Sequence, residues 1–303
     1  MRLGPGEIPA WDRFQRPLTN LLSSLERRTR QLFGGRAGCT NVLEVALARL
    51  AGGDEASVCQ FFLPRSIAEG ALGNRLQLSV PTHLLTHRLH DWVRAGSEIA
   101  HTGDFFLSTA QWTPLLSAVA DCAVLEEARQ LEASGLNYRQ TDSFADYLRC
   151  KDTSHPLVRN KVRLDTEAKV CAYFERFVAL FESIAQHGLL PLQEARRLSR
   201  KLDRPSSVRG LFTSWGEKDL GIALAADHGM VLLPGGKHRL AVARVLGLQR
   251  IPARVRLLHA SWLQQCGPVL PGEWPNTLVR GWTAACHPPA TAGPEGELSG
   301  PPG

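Results

Sequence analysis

Five consecutive residues, Gly235, Gly236, Lys237, His238 and Arg239, carry the densest chemistry in the chain. Glycine lets a backbone approach a ligand closely, and the first turn of a helix offers unpaired N–H groups to an anion. The three residues that follow add donors of different kinds. Lysine is a compact point charge, histidine a donor or proton carrier near neutral pH, and arginine a planar fork matched to two phosphate oxygens. Together they describe a phosphate-binding turn. The same residues also suit an ordinary tight turn with a solvated basic edge, since short glycine motifs recur widely.

The flanking residues say how such a turn would be held. Met230 to Leu233 is apolar, too short for a helix and cut by Pro234, so it reads as a buried strand. From Arg239, Leu240, Val242, Ala243, Val245 and Leu246 fall on one helical face, and Gly247 supplies the stop. Ile251 to Val255 alternates as a second strand. Upstream, Gly221 to Ala225 is a strand joined to Met230 by the hairpin signal Asp227-His228-Gly229. Lys161 to Leu164 reads as the first strand of the core. Asp165 or Thr166 caps a helix through Val170, Phe174, Phe177, Val178 and Phe181 to His187. Arg196 to Ser207 is polar and basic, a connection or lid, and Phe212 to Trp215 follows it.

Glu182-Ser183-Ile184 with His187-Gly188-Leu189-Leu190-Pro191-Leu192, followed in order by Gly235 to Val255, resembles the two signature segments of the ParB/sulfiredoxin-like superfamily. The likeness covers roughly Val158 to Trp262. A closer likeness to a bacterial group of such proteins rests on Gly103-Asp104 and Tyr138-Arg139-Gln140-Thr141. It implies a region before the core that packs on it, with Asp104 facing the site; a turn acid is the plainer reading of that residue. The resemblance implies an α/β (α+β) fold with a ParB/sulfiredoxin-like core. It also implies that Gly235, Gly236, Lys237, His238 and Arg239 hold a nucleotide (ATP, ADP or CTP) with Mg. In the kinase members a small molecule is phosphorylated, with Glu182 or Glu167 here as base and His238 beside the phosphates. The alternative is a nucleotide-sensing or DNA-binding regulator without catalysis. Partition proteins place a helix-turn-helix just after this core, where this chain has only a short segment and a Pro/Gly-rich tail, so DNA is the lesser partner. Sulfiredoxin chemistry needs a cysteine in the loop; Lys237 stands there and no cysteine lies between Cys171 and Cys266.

The whole chain sets wider bounds. Its 303 residues, 44% hydrophobic, can bury a sizeable core in one large domain or two small ones. No run approaches the ~18 apolar residues of a membrane span, and the first residues lack the apolar stretch of a secretory signal. Seven scattered cysteines show neither a CxxC pair nor a disulfide framework, which predicts reduced thiols in a cytoplasmic protein. The net charge of +6 fits nucleic acid, a nucleotide or an anionic surface as partner, without choosing among them. Basic clusters such as Arg159 to Arg163 read as solvated faces. A homodimer stays open.

Four segments follow: a helical arm over 1–55, a mixed and mostly helical region over 56–157, the core over 158–265, and a tail over 266–303 that should be disordered from about 287. Leu18 to Phe33 and Val42 to Leu50, the latter capped by Asn41, are the helices of the arm. Val58 to Leu63 and Leu76 to Val80 read as strands. Thr82 to Trp92 reads as a helix with His83, His87 and His90 near one face, but no Cys or carboxylate cluster completes a ligand set, so the expected metal is none. Leu115 to Ser134 reads as a helix with Glu126, Glu127 and Glu132 on its wet side, and Tyr138 to Cys150 as a shorter one capped at Thr141 or Asp142.

Overall fold

The structure is a computed structural model that describes residues 36–51, 61–89, 92–95, 98–101, 105–109, 112, 115–159, 162–191, 194–195, 197, 219–227, 229–264, 266 and 272–287. It is a mixed α/β fold. The described residues form eight helices: α1 (Arg36–Ala51), α2 (Arg65–Leu72), α3 (Ala123–Ala133), α4 (Asp142–Lys151), α5 (Glu167–His187), α6 (Lys237–Val245), α7 (Ala260–Gln264) and α8 (Trp274–Ala285). None is long and apolar enough to cross a membrane.

One mixed sheet of eight strands organises them. The C-terminal strands are β10 (Gly221–Leu224), β11 (Met230–Leu232) and β12 (Arg250–His259). β10 and β11 are antiparallel, closed by Ala225 N–H donating to the Gly229 carbonyl, which is the expected hairpin; β12 runs parallel to β10. The rest come from earlier in the chain: β1 (Phe61–Pro64), β2 (Gln77–Pro81), β3 (His87–Arg88), β6 (Phe105–Ser108) and β7 (Ser117–Ala118), giving the order β1-β6-β12-β10-β11-β3-β7 with β2 also on β12. Two hairpins stand apart, β4 (Trp92–Ala95) with β5 (Glu98–His101), and β8 (Val158–Arg159) with β9 (Val162–Arg163).

Strand alternation divides the apolar residues between the two faces of the sheet. Ile222, Leu224 and Leu232 join α1, α2 and α8 in one core, whereas Ala223, Val231 and Leu257 join Leu89 and Trp112 in another. A third core lies among α3, α4 and α5 and is built on Phe144, Phe174, Phe177 and Phe181. Helix α6 is shared: Leu240 and Ala243 face the first core, Ala241 and Val242 the third. The start of α6 is therefore clamped from both sides.

Several expectations are corrected here. Thr82 to Trp92 is not a helix. A short 3-10 turn over Thr82–Leu84 leads into β3, whose backbone pairs with β11, and Leu85 and Leu89 go inward while His83 and His87 are exposed. Ladder pairing with a neighbouring strand outweighs the helical spacing of the histidines. Leu115 to Ser134 is helical only from Ala123, because Ser117–Ala118 pairs with β3. Val162–Arg163 pairs only with Val158–Arg159, so it is no strand of the main sheet. Helix α1 begins at Arg36, which places Asn41 inside it rather than at its cap. The stretch 56–157, expected to be mixed and mostly helical, holds α2, α3 and α4 and also supplies five strands of the main sheet. Thr141 and Thr166 are the caps of α4 and α5, accepting from Phe144 N–H and Lys169 N–H. Leu18 to Phe33, Gly103-Asp104, Phe212 to Trp215, most of Arg196 to Ser207 and the tail from 288 lie outside the described residues.

Candidate functional site

β11 ends at Leu232, Leu233 N–H donates to the Gly221 carbonyl, and the chain turns through Gly235 and Gly236 into α6. Gly235 has φ +99°, a conformation L side chains rarely adopt. A Cβ on Gly236 would lie 2.9 Å from Leu220 Cγ, so only glycine lets the helix start this close to β10. Gly236 is the N-cap; no side chain caps the helix, and its first turn carries no acid. The positive end of the helix dipole is left to Lys237 and its neighbours.

Residues 237 and 239 are roughly 200° apart around a helix, so their side chains leave the turn in different directions. Lys237 is half-buried. Burial holds its ammonium below the usual lysine range; Arg159 and Arg88 push the same way, and Cys122 and Glu127 oppose them. Arg88, on β3, donates from Nε to Ser117 Oγ at 2.9 Å and reaches Cys122 Sγ at 3.8 Å. On the other side, Arg239 donates to the Gly235 carbonyl at 3.1 Å and closes the turn. It also adds to the repulsion on Arg256, a buried guanidinium bonded to the Asp219 carbonyl and pulled down to about 10, by burial first and then by Arg65 and Arg239.

Beneath Lys237 lies a buried polar cluster. Glu127 is 2% exposed, and its carboxylate accepts from Tyr147 Oη at 2.5 Å and from Tyr173 Oη. Arg159 adds an ion pair at 3.5 Å and donates to Tyr147 Oη at 2.6 Å, its guanidinium 5.1 Å from the Tyr147 ring centre. Burial and the Glu127 charge push both tyrosine hydroxyls above the usual phenol range, so they stay protonated as donors. His238 is 5% exposed, with Nε2 3.0 Å from Tyr173 Oη and its ring 5.0 Å from that of Phe177. Burial first, then the charges of Lys237, Arg159 and Arg239, lower its pKa to about 3, so it is neutral at physiological pH.

The expected site residues thus part company. Gly235, Gly236, Lys237 and Arg239 share the turn, while His238 turns into the protein and fixes the helix start through Tyr173. Glu167 and Glu182 are not brought to it. Both are exposed, Glu167 in the first turn of α5 and Glu182 about 22 Å further along the axis by helix rise, off the face formed by Tyr173, Phe174, Phe177 and Phe181. The carboxylate beneath the turn is Glu127, which belongs to the buried side of α3 and not the wet one. Arg159, expected on a solvated face, is bound to it. Glu127 falls in the stripe of Val124, Ala128 and Leu131, and a carboxylate on an apolar stripe is the sequence signal that marks a buried, paired acid. Among the described residues no group of three or more His, Cys, Asp or Glu stands together as metal ligands. Comparison with protein-family models, with curated proteins and with solved structures found no match.

Proposed function

We propose that this chain binds the phosphates of a nucleotide at the start of α6, within a ParB/sulfiredoxin-like core. The observation that carries the reading is the charge balance there. An uncapped helix start meets Lys237, Arg88 and Arg159, three cations against the one carboxylate of Glu127, with His238 neutral. Half-buried cations in excess at a helix N-terminus favour an anion, and a phosphate takes both the N–H groups and the charged donors. Lys237 and Arg239 are the direct donors, Gly235 and Gly236 give the approach, and His238 holds the helix start in place. A Mg ion would arrive on the phosphates, which with water supply most of its oxygen ligands.

Phosphoryl transfer to a small molecule is the second reading. Glu127 already accepts from two tyrosines and pairs with Arg159, so it serves structure rather than general-base work, which favours binding without catalysis. A melting screen against ATP, ADP, CTP, GTP and sulfate tests the proposal, because a ligand of the native state at 100 times its Kd adds about 2.7 kcal/mol. Saturable stabilisation by nucleotides, beyond that by sulfate, is expected; no shift by any of the five removes the reading.

A further inference from the structure

A second cluster of cations surrounds a pocket on the far side of Arg159, between the β8–β9 hairpin and α5. The pocket has a volume of about 120 Å³, enough to admit a small molecule rather than a single water. Its apolar wall is Val162, Leu164, Ala172 and the Tyr173 ring, and its polar lining is Arg159, Lys169 and Arg176, with no carboxylate among the lining residues. The three cations differ in their commitments. Arg159 spends Nε and one terminal nitrogen on Tyr147 and Glu127 and keeps further N–H donors, since a guanidinium has five. Lys169 gives one proton to Asp165 at 2.6 Å. Arg176 is exposed and has no hydrogen bond or ion pair to any described residue. The hairpin that forms the outer wall joins no other strand, and it leaves Val158 and Val162 58% and 41% exposed beside the pocket.

We propose that this pocket binds a small organic anion with a short aliphatic body. The anionic head lies between Arg176 and Arg159, where a planar guanidinium matches two oxygens, and the body covers the exposed Val162. Leu164 and Tyr173, buried in the core among α3, α4 and α5, give the hollow a fixed base, with the three cations around it. The site shares Arg159 and Tyr173 with the cluster beneath the phosphate turn, and it is told apart from that turn by Arg176, which has no part there.

The test uses the full chain with valerate as probe, valeramide as its neutral isostere, inorganic phosphate as a bare anion, and the variant Arg176→Gln, whose exposed side chain leaves folding unchanged. Valerate should give saturable binding by isothermal titration, valeramide none, and Arg176→Gln should weaken valerate about tenfold or more, the loss of one charge-assisted contact. Phosphate binding that survives Arg176→Gln belongs to the other site and leaves this proposal standing. Equal binding of valerate and valeramide, no saturable binding of valerate, or unchanged affinity in Arg176→Gln would each overturn it.

Discussion

The glycine turn and the Glu127 cluster sit on either side of His238 and are built on opposite principles. The turn is contiguous, Gly235 to Arg239, and its cations are only partly covered. The cluster draws Glu127, Tyr147, Arg159 and Tyr173 from four different elements and buries them beside Phe174 and Phe177. The turn places cations where a ligand can reach them, whereas the cluster holds its one carboxylate internally, through two tyrosines and Arg159, and so fixes where the turn stands.

If that division is right, damage to the cluster is read in stability and damage to the turn in binding. The largest effect is expected from Glu127→Ala, which strands a largely buried Arg159 and two tyrosine hydroxyls. Breaking a buried pair in this way costs about 3–5 kcal/mol, measurable by urea unfolding, and Arg159→Met added to Glu127→Ala should restore part of the loss.

Acid comes next. An unfolded histidine takes its proton near pH 6.5, while His238 resists protonation until about 3, so the unfolded chain binds one more proton between those values. Stability is therefore complete above pH 6.5 and is lost as pH falls toward 3, by up to about 1.4 kcal/mol per unit from this group. His238→Phe should flatten that slope in melts run from pH 7 to 4; an unchanged slope assigns the acid sensitivity elsewhere.

Tyr173→Phe removes the hydroxyl shared by Glu127 and His238 and should cost about 1–3 kcal/mol, with little change in nucleotide affinity beyond what the loosened helix start brings. Gly235→Ala is the smallest, about 1–2 kcal/mol for a side chain at positive φ, and unlike the others it should weaken nucleotide binding more than its stability loss explains.

The same contrast decides what the sequence made legible. The unit from Gly221 to His259 announces itself because every signal in it is local. Apolar runs of strand length, a DHG hairpin, two glycines and a helical stripe all agree, and β10, β11, α6 and β12 follow. The caps of α4 and α5 were legible to within one residue for the same reason, as Thr141 or Asp142 and as Asp165 or Thr166, and the threonine is the cap in both. The cluster was not legible, because nothing near Glu127 in sequence names Tyr173 or Arg159 as its partners. Its place on the apolar stripe of α3 is the one local hint. The histidines of Thr82 to Trp92 failed in the opposite sense: their spacing fits a helix, but β11 offers a ladder that local pattern cannot foresee. Glu167 and Glu182 fit a catalytic role by position relative to the motif, yet the helix face that turns inward is aromatic.

The central claim is that the start of α6 takes nucleotide phosphates through Lys237 and Arg239. Isothermal titration of ATP, ADP and CTP into the wild type and into Lys237→Gln, Arg239→Ala and Arg239→Lys tests it most directly. Saturable binding is expected in the wild type. A charge-assisted hydrogen bond contributes about 1.5–3 kcal/mol, so the first two variants should bind about one to two decades more weakly, more than any change in melting temperature explains. Arg239→Lys should recover part of the loss, keeping the charge without the fork. Equal affinity in all four proteins would contradict the claim.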